Sequence, residues 1–160
     1  MKSEVQLHTY CDIVPVTGTV ITAQRGLIEV NLTDFVNGWI AAFNRRDGLE
    51  DYLAHYDDTV VVHGYPPGVQ GKDGLRAFYA KVRAAIPDWN LVADDIICED
   101  NRLAVRYRLS GTHQGELLGI PATARPITIM GQTIAHVRDG KVVERWQAMD
   151  EAGLIRQIQG

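Results

Sequence analysis

The sequence predicts an α+β domain in which a curved antiparallel sheet wraps around helices and encloses one apolar pocket. Three observations predict it. Phe35, Val36, Trp39, Ile40 and Phe43 recur at helical spacing. Arg102 to Thr112 alternates, with Leu103, Val105, Tyr107 and Leu109 on one face and Arg106, Arg108 and Ser110 on the other. Asp139-Gly140 separates two β-rich runs and is a hairpin dipeptide. Helices come first and antiparallel strands later, the segregation of an α+β fold. Long strands with one apolar face must curl to bury it, and ligand pockets favour the open mouth of a curled sheet.

The elements follow in order. Residues 1–30 read as an N-terminal extension, an arm or loose hairpin, and residues 31–160 as the domain proper. Thr33 is the expected N-cap of the first helix, near 33–45. Asp47-Gly48 breaks it, and a second helix covers 49–56. The β-branched run Thr59 to His63 is a strand. Gly64 to Gly71 holds two prolines and three glycines and forms a loop. Asp73 is the expected cap of a helix to about Ala85, which Pro87 terminates. Strands are expected over 90–98, 102–112, 127–137 and 142–149, with Asp150 capping a closing helix.

Composition excludes several functions. The net charge is −4 and the pI about 5.7, with no Lys/Arg cluster, so nucleic acid is not an expected partner. No run of about 18 apolar residues is present, so no membrane span is expected. The N-terminus lacks the apolar stretch of a signal peptide, and a cytoplasmic location follows as an expectation. Cys11 and Cys98 have no metal-type spacing, and neither a metal nor a cofactor is expected.

Candidate site residues come from strand ends and from aromatics facing the sheet. His63 ends an apolar run and shares parity with Tyr65; it is either an acid/base or a histidine bonded to backbone where strand becomes loop. His113 continues the inward parity of Leu103 to Leu109 and either faces the pocket or holds the 114–125 loop. Gln147 shares parity with Arg145 and Met149 and can orient a carbonyl or hydroxyl. Phe35, Trp39, Phe78, Tyr79, Tyr107, Met130 and Met149 are the expected apolar lining, which suits an apolar or aromatic small molecule. Asp94 and Asp95 are adjacent in a strand and so point to opposite faces. Trp146 and Glu144 lie on the face opposite Gln147; a homodimer packed on that face is expected.

Four stretches carry a family resemblance. They are Ala42-Phe43-Asn44; Val61-Val62-His63-Gly64 with Gly71-Lys72-Asp73-Gly74-Leu75; Thr112-His113-Gln114-Gly115 with Gly119 to Arg125; and Asp139 to Trp146 continuing through Asp150 to Gln157. In that order and spacing, residues 33–160 resemble the SnoaL-like polyketide cyclases, also called predicted ester cyclases, of the nuclear transport factor 2-like superfamily. The resemblance implies a conical barrel, commonly dimeric, and cofactor-free acid–base chemistry of the cyclase, isomerase, lyase or hydrolase kind. Some members only bind, so a non-catalytic binding protein is the alternative it leaves open. Members that close aldol rings carry an acidic residue at the position of Gln147. A carboxamide cannot exchange protons near neutral pH, so His63, His113 and Tyr65 become the candidate catalytic residues.

Overall fold

The structure, a computed structural model, describes residues 31–160; the arm or hairpin expected over 1–30 lies outside the described residues. The elements are α1 (Leu32–Asn44), α2 (Leu49–Leu53), β1 (Tyr56–His63), α3 (Gly71–Ala85), β2 (Asn90–Glu99), β3 (Arg102–Thr112), β4 (Pro126–Arg138), β5 (Lys141–Met149) and α4 (Glu151–Gln159). Among the described residues no helix is long and apolar enough to cross a membrane.

Local chemistry sets the helix ends. Asn31, not Thr33, caps α1: its Oδ1 accepts from the Thr33 and Asp34 amides at 3.0 and 3.2 Å. The third helix starts two residues before Asp73, so that carboxylate stands in its first turn instead of capping it. The second helix stops at Leu53, and β1 begins at Tyr56, inside the span expected to be helical. Asp150 does cap α4, its Oδ1 accepting from the Gly153 amide at 2.8 Å.

The five strands lie in the order β1-β5-β4-β3-β2 and form a curved sheet that does not close. Consecutive strands β2 to β5 pair antiparallel, with β3 and β4 in register from Arg102↔His136 to Thr112↔Pro126. Asp139 and Gly140 adopt φ of 51° and 71°, the left-handed pair that a tight hairpin requires. The exception to antiparallel order is β1, which joins β5 in parallel, with Val62 opposite Arg145 and His63 opposite Trp146. The long connection through α3 and three further strands leaves room for that crossover.

Alternation gives the sheet two distinct faces. Leu103, Val105, Tyr107 and Leu109 of β3, with Ile127, Ile129 and Ala135 of β4, are buried against Val36, Trp39, Phe43, Leu75 and Tyr79 of the helices. Tyr107 lies over Gly131 on the neighbouring strand, where a Cβ would come within 2.6 Å of the phenol, so only glycine admits that ring. Asn44 fastens the end of α1 to the edge strand β2. Its side chain donates to the Leu91 carbonyl at 2.9 Å and accepts from the Leu91 amide at 2.8 Å.

The outer face carries Val92, Ile97, Met130 and Ile134, all exposed, together with Trp146 and His136. Met130 is therefore not pocket lining as expected: it has the opposite parity to Ile129 and Gly131 and is 61% exposed. On the same face a bulge between Ala93 and Asp95 interrupts strict alternation. It lets both Asp94 and Asp95 reach Arg106, at 3.1 and 2.6 Å.

Replacing Asp150 with alanine leaves the Gly153 amide without its acceptor. The expected loss is about 1 kcal/mol of folding stability, read as a lower urea midpoint at unchanged slope.

Candidate active site

Between the inner sheet face and the helices lies a cavity of about 120 Å³. Its walls are mostly apolar, from Trp39, Phe43, Phe78, Tyr107, Ile129 and Met149 among others, while Arg145 and Gln147 form a polar floor. Exposed Pro66, Leu118 and Glu151 stand at the mouth. Among the described residues Glu151 is the one carboxylate in the lining, and no histidine takes part in it.

The floor is built around Arg145, which is only 4% exposed. Its Nε donates to Thr133 Oγ1 at 2.8 Å, and that hydroxyl passes its own proton to the Trp146 carbonyl at 2.9 Å. Nη1 faces the hydroxyls of Tyr52 at 2.6 Å, of Tyr79 at 3.1 Å and of Tyr56. Nη2 donates to Gln147 Oε1 at 2.7 Å. The guanidinium also lies 4.9 Å from the centre of the Trp39 ring, a cation–π contact. Thus α1, α2, β1, α3, β4 and β5 all deliver a group to one cation. Among the described residues no carboxylate pairs with it.

The phenols form a directed chain. Tyr65 donates to Gln147 at 3.2 Å and Tyr52 donates to Tyr79 at 3.3 Å. Each phenol has a single proton. The remaining contacts, Tyr65 with Tyr79 at 2.8 Å and Tyr52 with Tyr56 at 2.6 Å, must therefore be donated by Tyr79 and Tyr56. The order runs Tyr56 to Tyr52 to Tyr79 to Tyr65 to Gln147, which uses every hydroxyl proton.

Burial pushes the Tyr52, Tyr56 and Tyr65 phenols well above the ordinary tyrosine range, against the opposing pull of the Arg145 charge. It lifts Tyr107 to about 12. Burial also disfavours the charged guanidinium, but the phenolic oxygens around it more than offset this, and Arg145 holds its proton more tightly than an ordinary arginine. The resting floor is a cation among neutral phenols.

The predicted residues divide between cavity and elsewhere. Trp39, Phe78, Tyr79, Tyr107, Gln147 and Met149 line the cavity; Phe35 does not, and packs edge-on against His55 with ring centres 5.2 Å apart. Tyr65 joins the floor through its hydroxyl. His63 does not. It is on the outer face, bonded to Glu144 at 3.0 Å and stacked on Trp146 with ring centres 5.0 Å apart. The expectation that His63 and Tyr65 share a face fails at Gly64. That residue has φ +76°, and its Cβ would lie 1.9 Å from the Gln147 carbonyl oxygen, so the chain turns over between the two side chains. His113 points inward but lies outside the cavity wall. Fully buried, it holds the 114–125 loop: Nδ1 lies 3.0 Å from Thr123 Oγ1, and its backbone bonds Arg125 and Ala124 at 2.9 Å each. Arg145 is the residue that the sequence reading passed over. Its signal was parity, since it lies on the strand face that Gln147 and Met149 had already assigned to the pocket.

The Tyr52, Tyr56, Tyr65 and Tyr107 phenols keep their protons in the folded state where the unfolded chain, with tyrosine pKa of about 10, loses them. Above that pH the unfolded chain binds fewer protons, so stability falls as pH rises; below it the contribution is complete. The expected outcome is a urea midpoint that drops steeply from about pH 10 to 12, with tyrosinate absorbance of the buried rings appearing only on unfolding. Free titration of Tyr52, Tyr56, Tyr65 and Tyr107 in the folded protein would contradict the burial.

The chain and its fold have known relatives. DauD, the aklanonic acid methyl ester cyclase of Streptomyces sp. strain C5, is 27% identical over 131 residues, which cover 78% of this chain and 80% of DauD. The structure of TsrD from Streptomyces laurentii is similar with a TM-score of 0.72 and 28% identity, over 83% of this chain and 98% of TsrD. Wild-type IdmH from Streptomyces antibioticus gives a TM-score of 0.71 and 28% identity, over 82% of this chain and all of IdmH. The family model described as SnoaL-like polyketide cyclase matches residues 33–158, nearly the whole of the described domain, and the chain belongs to that family.

Proposed function

We propose that the protein is a cofactor-free cyclase-type enzyme that closes a ring in a small carbonyl-bearing molecule, apolar or aromatic. The family and a cyclase relative support that class. The observation that carries it is the pairing of apolar walls with a single preorganised polar floor at Arg145, Gln147 and Tyr79. The walls hold the carbon skeleton and exclude water. A carbonyl oxygen directed at the floor meets donors fixed in place before any charge develops, and such preorganisation is the usual source of stabilisation for an oxyanion. Gln147 acts here by orienting Arg145, because its amide cannot ionise. The alternative, a binding protein, needs the walls but gives no reason to hold a cation out of water at their base.

A linear aromatic β-keto ester bearing a second ketone is the test substrate. The wild type is expected to convert it to a ring-closed isomer, resolved by chromatography. Replacing Arg145 with glutamine should lower kcat about 100- to 1,000-fold, while a melting curve reports whether the domain is intact. No turnover by the wild type on a series of such substrates would refute the reading.

The same proposal includes a homodimer in the cytoplasm, where the exposed free thiol of Cys98 stays reduced. The outer face offers Val92, Ile97, Met130 and Ile134 beside an Asp94–Asp95 and Arg106–Arg108 cluster. A patch that carries both signs of charge around apolar groups is complementary to a two-fold copy of itself. Light scattering should give the mass of two chains for the wild type and of one for Ile134→Glu. A monomeric wild type at micromolar concentration would refute the dimer.

A further inference from the structure

The charge at the cavity floor is unbalanced. Arg145 is buried, and among the described residues no carboxylate pairs with it. Glu144, its neighbour in the chain, faces outward and bonds His63. Glu151 is exposed at the mouth. The groups that do touch the guanidinium are phenols, a threonine hydroxyl and an amide oxygen, all neutral. These neutral oxygens offset the lost solvation but leave the charge itself uncancelled, so an anion entering the cavity meets no competing carboxylate.

One donor at the floor also awaits an acceptor. Nη2 of Arg145 carries two N–H groups, and only the bond to Gln147 engages it among the described residues. An anionic oxygen at the floor would satisfy both the charge and this donor.

We infer that Arg145 binds the substrate as an anion, the ionised enol of a 1,3-dicarbonyl unit, and that this binding replaces the carboxylate base that position 147 lacks. The inference rests on the cavity being the substrate site of the proposed cyclase. The C–H between two carbonyls loses its proton to water at the cavity mouth, and the electron pair of that bond moves onto the oxygen facing Arg145. On ring closure the pair returns: the enolate carbon forms a bond to a second carbonyl carbon. The π pair of that carbonyl moves to its own oxygen, which takes a proton back from water. The product is an isomer of the substrate, and no oxidant or reductant is needed. Gln147 suits this role because its Oε1 holds Nη2 at 2.7 Å without cancelling the charge; a carboxylate there would form an ion pair and neutralise the floor.

Benzoylacetone, an aromatic 1,3-diketone whose enol and enolate differ in absorbance, reads this directly. Its ionisation is followed by difference spectra from neutral to alkaline pH, free and bound. A cation in contact should lower the pKa of the bound ligand by at least about one, a tenfold rise in enolate fraction. The 2,2-dimethyl analogue cannot form the enol and should bind the wild type at least about tenfold more weakly. In Arg145→Met the ligand should still enter the apolar cavity, but with its free pKa and without preference over the analogue. If that variant does not fold, the wild-type titration and the analogue decide alone. A bound diketone that ionises at or above its free pKa overturns the inference, as does a lowered pKa that survives in Arg145→Met. The carboxylate 2-naphthoate is the third arm. Tight binding of it with an unmoved diketone pKa would make the floor a carboxylate site and overturn the enol assignment; binding of neither ligand overturns both. A lowered diketone pKa in a protein that closes no ring would remove the cyclase reading and leave the enolate site standing.

Discussion

A guanidinium withdrawn from water loses several kcal/mol of solvation, and no carboxylate compensates Arg145 among the described residues. What offsets that loss is a set of oxygens and one π face gathered from across the chain. Tyr52 comes from α2, Tyr56 from β1, Tyr79 from α3, Thr133 from β4 and Trp39 from α1. The four oxygens each make a hydrogen bond to a charged group, of the kind that contributes about 1.5–3 kcal/mol, and the Trp39 face adds a cation–π contact. A shift of any one element leaves a buried donor unpaired, so the cation fixes how the helices sit on the sheet. The cavity is the apolar space those same helices leave above it.

The sheet supports this arrangement by keeping two chemistries apart. Residues 145 and 147 point to the floor, while 144 and 146 point out to His63 and His136. One turn of the pleat thus separates an ionisable cluster on the outer face from a cation on the inner one. Gly64 makes the division possible on β1. Its left-handed backbone and its close approach to the Gln147 carbonyl send His63 outward and bring Tyr65 back toward the phenols. Gly131 plays the matching part on β4 by making room for the Tyr107 ring.

Local pattern made much of the fold legible. The alternation of β3, the Asp139-Gly140 hairpin and the Asp150 cap each depend on residues within a few positions of one another, and each is present as read. The parallel pairing of β1 with β5 was not legible, because Tyr56 and Val142 are brought together only by the finished fold. The site was legible to the same degree. Helical and strand periodicity placed Trp39, Phe78, Tyr79, Tyr107, Gln147 and Met149 in the lining, where they are, but also Phe35, which packs on His55 outside it. Met130 failed because its side chain follows strand parity and hydrophobicity alone does not set the face. His63 failed because a rule that extends strand parity past Gly64 assumes an unbroken strand. Arg145 was hidden for a different reason. A lone arginine in a strand is normally a solvent-facing residue, and the tyrosines that bury it are spread from position 52 to position 79, beyond the reach of any local pattern.

The pair at 145 and 147 is best understood as one unit. Their side chains project from the same face of β5 and meet at 2.7 Å, so the charge of one determines what the other can do. A carboxylate at 147 would be held ionised by the guanidinium. The two together would be neutral, with the carboxylate serving as base and the cation tuning it. An amide at 147 removes the negative charge and the base in one step, and leaves the cation to act on whatever enters the cavity. An amide at this position is therefore compatible with proton chemistry in the proposed reaction. It moves the negative charge from the protein to the ligand, and with it the requirement that the ligand be acidic enough to carry that charge.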